Sequence, residues 1–308
     1  MPATATEMPV SDPVADLAIL SGGPQGPVRE TVIEPRKGWI AVDWGELLRQ
    51  RELLFFLVWR DIKVRYKQAT LGVLWAVLQP LVNVAIFSLI FGAGFNLAAQ
   101  LSPKLQHAYP IFVFAGLLPW QFFARSLNEG GLSLVNQQNL LTKIYFPRLF
   151  VPSATVGGAL FDMMVSFPIF AIMMVIYGVM PSWQVVFLPF LLVVTVMMAA
   201  GMAYLLSALT VTHRDFRFII PFLVQLWMWL SFVMIPMPAV WQHRLLGSLI
   251  VYGNPMYGLI GAYRKVLMNE NTGWNPVSLV ISVVASVVLF VFGIFYFRRT
   301  ERRFADIA

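Results

Sequence analysis

Six long apolar runs set the limits on what this chain can become: 71–95, 109–127, 151–179, 183–211, 218–235 and 276–297. Crossing about 30 Å of hydrocarbon takes roughly 20 helical residues, and each run approaches or exceeds that length. Backbone groups inside lipid must be paired within their own segment, so helices are expected. The alternation that barrel strands require is not seen. The chain is 58% hydrophobic and 12% charged, against about 25% charged in soluble domains. That little charge cannot coat a globule of 308 residues, so most of the surface must face lipid. The reading is an all-α integral membrane protein with six transmembrane helices.

Lysine and arginine orient it. With the N-terminus inside, eighteen of the 22 basic residues fall on the cytoplasmic side and four on the outer side: Lys104, Arg244, Arg264 and Lys265. This is a strong positive-inside bias, and an even number of spans puts both termini in the cytoplasm. The net charge of +7 therefore suggests the anionic inner leaflet rather than nucleic acid. Residues 1–36 lack a basic segment followed by an apolar core, so they read as a disordered cytoplasmic tail and not a cleaved signal. Residues 37–70 read as an amphipathic interface helix and a basic connector. In 43–59, Trp44, Leu47, Leu48, Leu54, Phe55 and Val58 share one helical face. The transmembrane domain is 71–299, followed by a cytoplasmic C-terminus at 300–308. Between spans five and six, 240–250 and 255–268 are apolar but too short to cross, which suits two short re-entrant external helices. Asn254 is placed to cap the second, with Pro255 in its first turn.

Several chemistries are missing. No G-x-x-x-x-G-K-[ST] loop occurs, so the chain has no ordinary nucleotide cradle of its own. With no Cys and three separated His, a metal site is not expected. Asp162 is the one clear acid within a span, paired with a helix neighbour or facing a cytoplasmic cavity. Glu129 lies four residues from Arg125, suited to an ion pair. One Asp is no proton relay, and no carboxylate pair suggests a lipid-linked sugar transferase.

What remains is aromatic and amide chemistry. The first span carries Trp75, Gln79, Asn83, Phe87 and Phe91 four apart; the fifth carries Phe222, Gln225 and Trp229. Such stripes stack rings and amides along one face. Sugars offer C–H faces to rings and hydroxyls to amides, so a glycan could slide along them. Alternatively the rings fill helix packing or meet lipid, and the amides glue helices together. Pro80 and Pro119 lie inside the first and second spans, where a kink is expected.

The segments Trp59-Arg60-Asp61-Ile62-Lys63-Val64-Arg65-Tyr66 running into Leu71-Gly72-Val73-Leu74-Trp75, then Gly116-Leu117-Leu118-Pro119-Trp120, Lys143-Ile144-Tyr145-Phe146-Pro147-Arg148, Arg214-Asp215-Phe216 and Asn254-Pro255-Met256 resemble the membrane subunit of type-2 ABC exporters. The likeness is greatest to the polysaccharide exporters for O-antigen, capsule and teichoic acid. It covers about 43–299, with 231–236 a looser match. The resemblance implies a homodimer in the bacterial inner membrane with the pore between protomers. It implies two copies of an ABC ATPase, which carry the ATP and Mg²⁺; no cofactor is expected on this chain. The substrate implied is a polyprenyl-diphosphate-linked glycan. Leu140, Lys143, Tyr145, Pro147 and Arg148 would contact the ATPase. Arg60, Lys63, Arg65 and Lys67 would suit the diphosphate, or simply anchor the inner leaflet. An exporter of a drug or lipid is the alternative, and a membrane scaffold for a glycosyltransferase a third reading.

Overall fold

The structure, a computed structural model, describes residues 44–67, 74–103, 105–138, 146–236 and 245–301. The described residues form helices and turns without a strand. In chain order the helices are α1 (Trp44–Arg49), α2 (Arg51–Lys67), α3 (Leu74–Phe87), α4 (Tyr109–Asn136), α5 (Phe150–Ile176), α6 (Leu188–Thr212), α7 (Phe216–Leu230), α8 (Leu245–Gly253), α9 (Pro255–Met268) and α10 (Pro276–Glu301). Five stretches are long and apolar enough to cross a membrane: Val77–Gly94, Gln106–Asn136, Phe150–Ile176, Trp183–Thr212 and Pro276–Glu301.

α4 is the hub. About 78% of its apolar window is buried, against 11–39% in the others. It touches α3, α5, α6, α7 and α9. Its residues from Ile111 to Ala115 are wholly enclosed. α4 also runs nine residues past the expected end of the second span, because Arg125 and Glu129 pair with Asp162 of α5 and Arg65 of α2, and Asn128 faces a polar cleft instead of lipid.

Small residues let other helices close in. At the α6–α10 contact, a Cβ on Gly201 would sit 2.5 Å from Leu289 O, and one on Gly293 would run into the Gly201 carbonyl. Small-residue contacts of this kind bring membrane helices together through dispersion. Two Asn-Pro pairs start helices. Asn254 Oδ1 accepts from Met256 N–H (3.1 Å) at α9, and Asn275 Oδ1 accepts from Val277 N–H (2.9 Å) at α10.

The observed elements depart from expectation at three places. The first run is α3 followed by a π-helical stretch, Ser88–Gly94, with Phe95 N–H bonded to Ile90 O at 3.1 Å; residues 71–73 lie outside the described ones. The fifth run does not hold a helix over 218–235: α7 stops at Leu230 after 15 residues, and 231–236 leave the helix. Polar side chains from α4 and α9 take the carbonyls there, which hydropathy cannot reveal. The helix before the first span also runs further than expected. It continues through the basic stretch to Lys67, and its buried residues are Leu57 and Ile62, while Phe55 is 71% exposed. Contact with α5, where Val58 meets Gly157, sets that rotation.

Gly293→Leu should push α6 and α10 apart. Overpacking of this kind costs about 1–3 kcal/mol, so the thermal midpoint in detergent should fall, while Gly253→Leu, with open space around it and no left-handed backbone, should lose less. Equal packing losses would contradict the close approach.

Candidate functional site

A cleft of about 640 Å³ lies between α3, α4, α5 and α7. α3 contributes Gln79, Asn83 and Phe87; α7 contributes Gln225; α4 contributes Gln121 and Asn128. Five carboxamides therefore line one space. Gln121 Nε2 and Asn128 Oδ1 are buried without a protein hydrogen-bond partner among the described residues. An unpaired buried polar atom costs about 1–3 kcal/mol, so these two favour a hydroxyl or water in the cleft. Gln121, Arg125, Asn128 and Glu129 follow helical spacing along α4. That polar stripe was legible in the sequence once the second span is read past residue 127.

One end of the cleft is ionic. Arg65 Nη1 donates to Asp162 Oδ2 at 2.8 Å, and its other Nη donates to Glu129. Arg125 Nε donates to Glu129 Oε1 at 2.7 Å, and Arg125 also pairs with Asp162. Two cations and two anions thus close a ring across α2, α4 and α5. The expected Arg125–Glu129 pair is one side of it. Asp162 both pairs and faces the cavity. Tyr66 OH donates to Asp162 as well. Burial, then that hydrogen bond and the carboxylate's charge, push the Tyr66 phenol up to about 12, so it remains a donor at physiological pH.

The four basic residues of the connector do not form one patch. Arg65 is engaged in the ring. Arg60 pairs with Asp61 at 2.8 Å and donates to Gln137 Oε1 at 2.8 Å. Lys63 and Lys67 are exposed. The aromatic stripes meet at one point: Phe91 stands edge-on to Trp229 at 6.0 Å and stacks on Phe95 at 5.9 Å. Phe87 adjoins Phe91 at 6.3 Å. Phe91, Trp229, Trp75 and Phe222 all lie outside the cleft lining, the last two 53% and 64% exposed. Leu140, Lys143 and Tyr145 lie outside the described residues. Pro147 O accepts from Phe150 N–H (2.9 Å) in the turn that starts α5, and Arg148 Nη1 donates to Glu301 O (3.1 Å), tying that turn to the end of α10.

Residues 52–268 match the family model of the ABC-2 type transporter. The chain belongs to the ABC-2 type transporter family. The match begins in α2 and ends at the last residue of α9, so the ionic ring, the cleft and the short helices α8 and α9 all lie inside it. Among relatives, the O-antigen export system permease protein RfbA of Myxococcus xanthus is 31% identical over 257 residues, covering 83% of this chain and 96% of that protein. A Klebsiella pneumoniae protein of the same name is 27% identical over 263 residues, covering 83% and 95%. The polysialic acid transport protein KpsM of Escherichia coli is 21% identical over 250 residues, covering 79% and 91%. The chain is a multi-pass membrane protein of this transporter family.

The ring predicts energetic coupling. Arg65→Gln and Asp162→Asn should each lower the unfolding midpoint in detergent. The double variant should lose less than the sum, by about 1–2 kcal/mol for residues sharing one network. Strict additivity would mean that the ring carries no interaction energy.

Proposed function

We propose that this chain is the permease subunit of an ATP-driven exporter carrying a lipid-linked polysaccharide of O-antigen type from the cytoplasmic side. One combination supports the reading most: a cleft lined by five carboxamides and the rings of Phe87, Trp120 and Phe122, in a chain 31% identical to an O-antigen export permease. Amides exchange hydrogen bonds with sugar hydroxyls, and rings offer faces to sugar C–H groups. Neither grips hard, as a moving polymer requires.

In this reading the subunit acts as a homodimer in the bacterial inner membrane, with both termini cytoplasmic. It crosses six times, α7 being the shortest crossing, and α8 and α9 form a re-entrant pair on the outer side. The chain has its tail at 1–36, its interface helix and connector at 37–70, the transmembrane domain at 71–299 and a short cytoplasmic end at 300–308. Two copies of a separate ABC ATPase bind and hydrolyse ATP with Mg²⁺; this chain performs transport without catalysis. The ATPase meets α2 and the segment holding Leu140, Lys143, Tyr145, Pro147 and Arg148. Because α2 is joined by the ionic ring to α4 and α5, a push on α2 reaches two walls of the cleft. The glycan's diphosphate enters near Lys63 and Lys67, with Arg60 and Arg65 reachable once their present partners yield. The glycan then passes Gln79, Asn83, Phe87, Phe91, Gln225 and Trp229, with Trp75 and Phe222 facing the second protomer.

Trp229→Ala, Trp75→Ala and Gln225→Ala should each lower glycan export by about 2- to 10-fold, the range that one lost ring or amide contact implies, while the complex still assembles. Full export in all three would remove the glycan track. Reversing charge at both Lys143 and Arg148 should reduce co-purification of the ATPase; undiminished recovery would overturn the docking segment.

A further inference from the structure

The end of α7 is held by an arrangement that a simple helix terminus does not need. α7 spans 15 residues, about 22 Å at 1.5 Å per residue, short of the roughly 30 Å hydrocarbon layer. Beyond it, Phe232 has φ 51°, the left-handed region, although it is not glycine; that conformation is unfavourable for a residue with a Cβ. Three side chains from other helices hold the carbonyls of this turn. Asn254 Nδ2 donates to Leu230 O (3.1 Å). Arg264 donates to Phe232 O (3.3 Å from each Nη) and to Val233 O. Tyr109 OH donates to Met234 O (2.7 Å).

Arg264 is itself unusual. It is 4% exposed, and among the described residues no carboxylate lies within ion-pair distance. Its guanidinium rests 3.7 Å over the Phe112 ring, and Gly116 leaves room beside it, since a Cβ there would meet Arg264 Nη2 at 2.7 Å. Its charge is balanced by carbonyl dipoles and a ring face, so it depends on the turn as much as the turn depends on it. Asn254 connects the same turn to the start of α9: its Oδ1 accepts from Trp227 Nε1 (2.8 Å) and from Met256 N–H (3.1 Å).

We propose that 231–235 is a winding switch. It is held unwound here by the latch of Arg264, Asn254 and Tyr109, and it rewinds into α7 during the transport cycle, releasing α8 and α9 at the outer end. The inference builds on the transport reading but not on the identity of the cargo. Rewinding has a natural stop. Pro236 disfavours helical backbone at Ile235, so α7 would extend to Met234, four residues more, reaching about 28 Å and matching the bilayer. Leu230 O would exchange Asn254 for Met234 N–H. Phe232 would return to right-handed backbone, and Arg264 would lose its acceptors in the turn, keeping only Phe112 O (3.4 Å) on α4. Strain therefore favours winding while the latch opposes it, the balance a two-state element needs. Arg264 is a positioning residue, acting on the pathway through the turn.

The test uses the complete complex with its ATPase in lipid nanodiscs, measuring amide hydrogen exchange of Val233, Met234 and Ile235. Trapping the ATP-bound state should slow exchange there by tenfold or more. Phe232→Gly removes the left-handed penalty. It should shift the balance toward the unwound form by about five- to tenfold, reducing ATP-dependent protection and slowing export. Arg264→Met should protect the segment even without nucleotide. Should that variant fail to fold, Phe232→Gly still decides. Exchange that is the same in both nucleotide states, or that Phe232→Gly leaves unaltered, overturns the switch. Nucleotide-dependent exchange without glycan export would instead count against the polysaccharide cargo and leave the switch standing.

Discussion

A peptide group inside hydrocarbon has no water to bond, so an irregular backbone there needs a protein partner. Regular helices satisfy themselves. Two departures from the α-helix among the described residues show such partners. The π-helical stretch after α3 pairs Phe95 N–H with Ile90 O, and the turn after α7 hands its carbonyls to Asn254, Arg264 and Tyr109. The short helices α8 and α9 belong with this turn, because the donors that let α7 stop early are carried largely by α9. Ending α7 at Leu230 and folding α9 back beside α4 are one structural event.

Charge obeys the same rule at the opposite end. Arg65, Arg125, Glu129 and Asp162 neutralise one another at the border of the cleft. An ion ring is weak evidence for stability, since desolvating each member offsets much of the attraction. Its worth here is geometric, because it fixes α2 against α4 and α5 with bonds that have one good arrangement. α2 is thereby joined to two helices that wall a polar cleft. Carboxamides in that cleft provide hydrogen bonds without net charge, while the outer packing of α6 and α10 rests on close backbone approach and stays apolar.

Much of the site was readable in the amino-acid order, though unevenly. Gln79, Asn83, Phe87 and Gln225 do share one cleft, as their four-residue spacing suggested. Phe91 and Trp229 do meet. Trp75, Phe91, Phe222 and Trp229, on the same stripes, do not line it: such a stripe drifts around the helix axis, so its ends face different neighbours. Arg65 sits beside Lys63 and Lys67 in the chain yet faces inward, a matter of rotation about α2 that no local pattern specified. Asn128 lies one residue beyond the expected end of the second span, and Gln121, inside it, is a lone amide in an apolar run with no local sign of the cleft it faces.

Hydropathy and lysine–arginine asymmetry by themselves determined that this chain is helical, that it lives in a membrane and roughly where its long helices lie. These follow from the cost of exposing single residues to lipid or water, a property additive along the chain. Tertiary structure alone decided that α7 stops at Leu230, that Asp162 is answered by Arg65 and Arg125, and that Arg264 is buried against carbonyls. Each of these depends on donors and acceptors 24 to 152 residues apart in the chain, and pairings over such distances exist only once the helices have packed.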